Sequence, residues 1–419
     1  MNDLHLHLLK PVAAVLGVVT VIVAIWQPSS GAAIDWLSTV TVVASPAADN
    51  SAQPQLSVQG NRATLSWIER SGERATLKFS DRSADGWSAP RVVASGTDWF
   101  VNWADVPSVV RLADGSMAAH WLQKSAASTY AYDVRLSLSS NDGRTWTVPQ
   151  SPHHDGTPTE HGFASLFQAP GRAGLGLVWL DGRAMKPAAA GHEGMGGGAM
   201  TLRGGIFDPN GAQLGETLID DRVCECCPTA AAVTSDGPIV AFRNRTADEI
   251  RDIYVSRLVG GRWSEPAPVH RDNWKIAACP VNGPALSAAE RTVAIAWFTA
   301  SGDQGHVLAA FSSDAGKTFG SPIRVDDVGA VGRVDVELVG ADAAAVSWIE
   351  FANERSQFRI RRVARDGTRS DSTDVAAIGA GRSSGYPRMA RAGDELIFAW
   401  TDAAGGSQVR TAVARLANR

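Results

Sequence analysis

Seven times along the chain an apolar run ends in an aromatic residue: ATLSW, MAAHW, LGLVW, PIVAF, VAIAW, AAVSW and LIFAW. The closing residues are Trp67, Trp121, Trp179, Phe242, Trp297, Trp348 and Trp400, spaced 54, 58, 63, 55, 51 and 52 apart. A near-constant period of this size marks a repeat architecture and constrains the fold more than any local pattern. Each unit opens on a second short run, such as PQLSV at 54–58, PSVVRL at 107–112 or GPALSA at 283–288. Alternating apolar and polar residues between Gly and Asp turn signals predict β-strands.

The first unit, PQLSVQGNRATLSWIERSGERATLKFSDRSADGWSAPRVVASG, holds four strand-like runs split by turns. A four-stranded antiparallel unit repeated about seven times predicts an all-β fold, a single β-propeller. Seven blades is the expected count. Six is the alternative, should the weakest unit (334–380) be irregular. The last unit has room for only three strands. WLSTVTVVAS at 36–45 matches GWSAPRVVASG at 86–96, so the N-terminal strand is expected to complete the last sheet and close the ring. Closure removes the exposed edge of an open array.

Net charge is −4 with no basic stripe, which argues against nucleic acid as a partner. Residues 11–26, PVAAVLGVVTVIVAIW, form one uncharged apolar run, and Leu4–Leu9 extend it past Lys10. Residues 1–33 therefore read as a signal peptide or a signal anchor, with membrane attachment through 4–26 in the second case. Either reading exports the propeller at 34–419 to the periplasm or the outer side of the inner membrane. A monomer is expected.

The turn SSDAGKTF (312–319) has a counterpart in SSNDGRTW (139–146). Both resemble the Asp-box, the bacterial neuraminidase repeat of the sialidase superfamily. The matching positions are Ser312, Asp314, Gly316 and Phe319, and Ser139, Asn141, Gly143 and Trp146, with Asn141 in place of the Asp. Degenerate relatives stand at Ser80–Trp87 and Ser256–Trp263. The resemblance implies structural roles for these turns, away from the working face. It also implies a Tyr nucleophile with a Glu beside it, an Asp acid/base and three Arg residues gripping a substrate carboxylate. Among four Tyr residues, Tyr386 in SSGYP stands where the family's late Tyr would enter the last blade. Arg183, Arg243 and Arg245 follow core aromatics and are the candidate clamp. The family's early Arg-Ile-Pro signature is absent, and no complete catalytic set assembles. The expected function is therefore ligand binding, to a glycan or a protein partner, with a sialidase-type exo-glycosidase as the alternative.

One face of the predicted ring is chemically rich. Loops leading into first strands carry Trp99, Trp103, His153, Glu160, His161 and Trp274, and loops after second strands carry Asp181, Arg183, Arg243 and Arg245. Trp99, Trp103, His161, Asp181 and Trp274 are the candidate ligand contacts. All four cysteines, Cys224, Cys226, Cys227 and Cys279, fall on the same face. In an exported chain an even count predicts disulfides, here two bridges between adjacent loops. The Cys-x-Cys-Cys spacing equally suits a soft metal, Cu or Zn, or thiol chemistry. The insertion at 184–200 adds Met185, His192, Met195 and Met200 to that second reading.

Overall fold

The computed structural model describes residues 36–170, 174–185, 198–352, 354–379 and 381–417. The expected signal or anchor segment and residues His192 and Met195 lie outside them. Seven four-stranded antiparallel blades form a propeller ring, and the expected count holds. The weakest unit is regular: blade 6 consists of Ala330–Leu338, Ala343–Ala352, Arg355–Ala364 and Thr373–Ile378. In blade 2 the fourth position is held by a single bridge, Leu136 to Gln150. Blade 7 is completed from the other end of the chain. Thr41–Val43 pairs with Gln408–Arg415, Thr41 facing Val413 and Val43 facing Thr411.

The repeated aromatics are the reason the blades stack. Trp67, Trp179, Trp297 and Trp348 are 0% exposed, and Trp121, Phe242 and Trp400 are nearly so. Each buries about 200 Å² at about 25 cal/mol per Å², or about 5 kcal/mol of transfer free energy per blade. Their clusters join neighbouring sheets, as Trp348 does with Ala294 and Val307 of blade 5. The indole N–H also needs an acceptor inside the core. A carboxylate two residues on supplies it in three blades: Glu69 for Trp67, Asp181 for Trp179 and Glu350 for Trp348, at 2.8, 2.8 and 2.7 Å. Period-2 alternation places that residue on the same face of the strand.

The turns at 312–319 and 139–146 share one hydrogen-bond set. Ser312 Oγ donates to Asp314 Oδ1 (2.7 Å) and accepts from the Gly316 N–H (2.9 Å). Asp314 then accepts from the Thr318 N–H and hydroxyl. Burial opposes ionisation of Asp314, but the Thr318 hydrogen bonds outweigh it and lower its pKa to about 2. Asn141 fits the same turn because its Nδ2 donates to Thr145 Oγ1 (2.8 Å) where Asp314 accepts. Gly316 and Gly143 have φ of 79° and 73°, and a Cβ there would overlap Ile239 and Phe79 of the preceding blade.

Three first strands carry a bulge that the sequence pattern does not announce. It falls at Ala52/Gln55, Gly162/Ser165 and Gly332/Asp335. Within these bulges Gln53, Phe163 and Arg333 have positive φ without being glycine. Bulges re-aim side chains, and here they set up the loop face.

Candidate functional site

The loop face is built around a plug contributed by several blades. The Trp103 ring stacks on Tyr386 with centroids 6.0 Å apart, and the Arg333 guanidinium lies 4.6 Å from the Trp103 ring. Arg333 also donates to the Gly381 and Gly385 carbonyls, which fixes it over the indole. The Tyr386 hydroxyl donates to the Val281 carbonyl at 2.6 Å. Burial, then the nearby Cys227, pushes the Tyr386 phenol well above its ordinary pKa. Its partner is thus a carbonyl, and it sits in the apolar cluster of Ala104, Phe163 and Phe242. Beside the plug, Gln53, Arg70, Trp103, Ser383 and Thr401 line a cavity of 610 Å³.

A Tyr–Glu–Asp set does form, around a different tyrosine. The Tyr132 hydroxyl donates to Glu160 Oε1 at 2.6 Å and lies 3.3 Å from Asp105 Oδ2. Burial raises Asp105 to a pKa of about 8, with the Glu160 charge adding to it. Burial likewise raises Glu160 to about 7, against the Tyr132 hydrogen bond. Burial and the two carboxylates raise Tyr132 well above its ordinary value, so near neutral pH it keeps its own proton and the two carboxyl groups are the ones that titrate. Gly162 permits the approach, since a Cβ there would overlap the Asp105 carboxylate. Tyr132 is 0% exposed and stacks on Phe100 at 4.0 Å, and Asp105 is 1% exposed, while Glu160 is only half-buried.

The three candidate clamp arginines are engaged with the protein itself. Arg243 is 1% exposed; it donates to the Asn282 and Phe298 carbonyls and stacks on Trp274 at 4.9 Å. Arg245 pairs with Glu249 and Glu225. Arg183 forks onto Asp181 at 2.8 and 2.7 Å and reaches Glu216. Asp181 is fully buried between Arg183 and the Trp179 indole. Trp274 is 7% exposed, and Trp99 stacks on the core Trp121 at 5.4 Å. His161 is buried in blade 3 against His153.

The structure brings the cysteines together as thiols. The expected disulfides are corrected: all four cysteines are free. Cys224 Sγ stands 3.3 Å from Cys227 Sγ and 3.8 Å from Cys226 Sγ, too far for a bond. Cys226 also contacts Cys279, which is exposed. The Arg251 guanidinium donates to Cys224 Sγ at 3.1 Å and to Glu225 at 2.9 Å. Burial disfavours a Cys224 thiolate, but the contacts from Cys226 and Cys227 and the Arg251 charge outweigh it and hold its pKa well below the thiol range. Sulfur contacts from Cys224, Cys227 and Cys279 push Cys226 the other way. One thiolate thus sits among thiols, against a buried cation. Met200 is 0% exposed in a strand of blade 3, a core residue, while Met185 packs against the same cluster as Cys226.

Two of these features were out of reach of sequence reading. Asp105, Tyr132 and Glu160 meet only through the ring, and Arg251 and Glu225 carry no motif. A usable signal did exist in the Trp-x-Glu/Asp pattern that places Glu69, Asp181 and Glu350.

No family model matches the chain, and no curated protein does. Solved structures do. The polysaccharide lyase Uly1 superposes with a TM-score of 0.53 at 12% identity, covering 86% of this chain and 89% of that one. The phage phi92 endosialidase superposes with a TM-score of 0.52 at 9% identity, covering 91% of this chain and 70% of that one. At these identities the likeness is one of fold, and the fold is a sialidase-like seven-bladed propeller.

Proposed function

We infer that this chain is an exported sialidase-like propeller whose loop face binds a soft metal ion, Cu(I) or Zn(II), through Cys224, Cys226, Cys227 and Cys279. The observation that carries this reading is the convergence of sulfurs at 3.3 and 3.8 Å without a disulfide. Thiolates bound to one ion at about 2.3 Å in tetrahedral geometry lie about 3.8 Å apart. Arg251 supplies what a buried thiolate needs before the metal arrives. Cys226 and the exposed Cys279 give the ion a way in. The apolar run at 11–26 supports export, and the full Asp-box-like turn at 312–319, its Asn141-bearing counterpart at 139–146 and two degenerate relatives support the sialidase superfamily as the origin of the scaffold.

The test is native mass spectrometry and metal analysis of protein expressed with copper or zinc supplied and purified under reducing conditions. One cysteine-bound ion per chain is expected, so Cys226→Ser/Cys279→Ser should hold one ion fewer than the wild type. A chain lighter by the protons of two disulfides, resistant to alkylation and free of metal, sinks the reading.

A glycan or a protein segment is the second ligand class, favoured by the 610 Å³ cavity beside Trp103. An indole at a cavity rim stacks on sugar rings as readily as on side chains. Retention on a sialoside-bearing glycan array is the expected result, with at least about tenfold weaker retention for Trp103→Ala, equivalent to about 1.4 kcal/mol. Equal retention of both proteins, or none, removes this class.

A further inference from the structure

Blade 3 holds a side-chain cluster that neither the thiols nor the plug uses. The imidazoles of His153 and His161 stack with centroids 3.8 Å apart and planes 7° apart. His153 is 5% exposed and His161 0%. Parallel stacking lines up the ring nitrogens along two edges. On one edge His153 Nε2 and His161 Nδ1 stand 3.9 and 3.5 Å from the same oxygen, Asp133 Oδ1. On the other, His153 Nδ1 and His161 Nε2 stand 3.3 and 3.2 Å from Asp155 Oδ2.

Hydrogen bonding accounts for neither edge, since His161 Nε2 and Asp155 Oδ2 on the second also lack a hydrogen bond among the described residues. Among the described residues, neither His153 Nε2 nor His161 Nδ1 has a hydrogen bond. A buried polar atom left without a partner is costly, and here two, on His153 and His161, converge on one carboxylate. Two imidazoles and a carboxylate are a donor set for a divalent transition metal. At metal–ligand distances of about 2.0–2.2 Å, donor atoms around one ion lie about 3–4 Å apart, which the 3.5 and 3.9 Å nitrogen–oxygen separations match; the two parallel ring planes must turn toward the ion for both nitrogens to ligate it.

The second edge fits the same reading. Metal-binding histidines commonly present their other nitrogen to an outer carboxylate. Asp155 Oδ2 faces that nitrogen on both rings, while Asp155 Oδ1 is anchored by the Thr157 N–H at 3.0 Å. Among the described residues no Arg or Lys forms an ion pair with Asp133, although the Arg135 charge acts on it from nearby. Arg135 donates to Ser151 Oγ and the Pro149 carbonyl, and Arg183 forks onto Asp181. Asp133 and His153 also line a 440 Å³ cleft with Ser125, Ser151 and Thr157, so the edge is reachable from solvent.

We propose that Asp133, His153 and His161 bind a divalent transition-metal ion such as Zn²⁺, with Asp155 orienting both rings and the open coordination positions facing the cleft. This site is separate from the cysteines and stands or falls without them.

The test uses the full chain, stripped with a chelator, incubated with Zn²⁺ and gel-filtered before metal counting. One ion is expected to persist in Cys226→Ser/Cys279→Ser. Asp133→Asn and His153→Gln should each hold one ion fewer than the wild type. Asp155→Asn should bind the ion about 10- to 100-fold more weakly. The Asp133 side chain is 26% exposed, so Asp133→Asn is the variant that keeps the fold, and its metal-free Tm checks this. Bound Zn²⁺ unchanged by Asp133→Asn, or no ion beyond those lost with the cysteines, overturns the proposal.

Discussion

Arg251→Ala is expected to lower the free energy of unfolding by about 3–5 kcal/mol, the cost of breaking a buried ion pair by removing one partner. Arg251 is 1% exposed and its partner Glu225 2%. Its guanidinium reaches Glu225, Glu249 and Cys224 Sγ at 2.9, 2.9 and 3.1 Å. Truncation leaves Glu225 with Arg245 alone and removes the charge that keeps Cys224 ionised. Two signatures separate this from plain loss of packing. Arg251→Met, which keeps the aliphatic stem, should be nearly as damaging. The reaction of the cysteines with an alkylating reagent at neutral pH should also slow in both variants, because Cys224 then needs higher pH to ionise. Denaturant unfolding of metal-free, reduced protein measures the first, and timed alkylation the second. A loss below about 1 kcal/mol would place the pair in the solvated class and remove the electrostatic account of the thiolate.

Trp348→Ala carries a comparable expected loss, about 3–5 kcal/mol for a large-to-small change in a close-packed core. The residue is 0% exposed and packs between blades 5 and 6. Trp348→Phe separates its two roles. The ring is largely kept, but Glu350 loses the indole donor at 2.7 Å while remaining 0% exposed. Arg359 Nη1 and the Asp327 N–H still serve Glu350, so the expected loss is smaller, about 1–3 kcal/mol. Equal losses for Phe and Ala, in the same denaturant titrations, would mean that the hydrogen bond and not the volume holds this position.

The architecture was legible because it repeats. Seven core aromatics at near-constant spacing need no knowledge of register, and the match between 36–45 and 86–96 was enough to place the closing strand. Convergence of the four cysteines was legible for the same reason, since Cys227-Pro228 and Cys279-Pro280 occupy equivalent positions in adjacent blades. The sulfur separations were not, because composition cannot say whether two sulfurs stop at 3.3 Å. The arginines show the opposite limit. Arg243 and Arg245 follow a core aromatic as the sequence shows, yet the Asn282 and Phe298 carbonyls and the Glu225 carboxylate that engage them come from elsewhere in the ring. Asp105, Tyr132 and Glu160 meet at a bulge at Gly162/Ser165, which the lone Gly162 does not announce. Phe163 adopts positive φ there under tertiary constraint alone.

The closing strand sets a condition on biosynthesis. Thr41 pairs with Val413, so the fourth strand of the last sheet exists long before the three it joins. At about 5–20 residues per second of chain elongation, its partner emerges roughly 20 to 75 s later. Throughout that interval the first strand made is the last to find a neighbour, and blade 7 cannot form in either half of the chain alone. A three-residue strand, Thr41–Val43, keeps the waiting edge short. A nascent chain is thus an unclosed array until Gln408–Arg415 has been made, and the seventh sheet forms only when both segments are present.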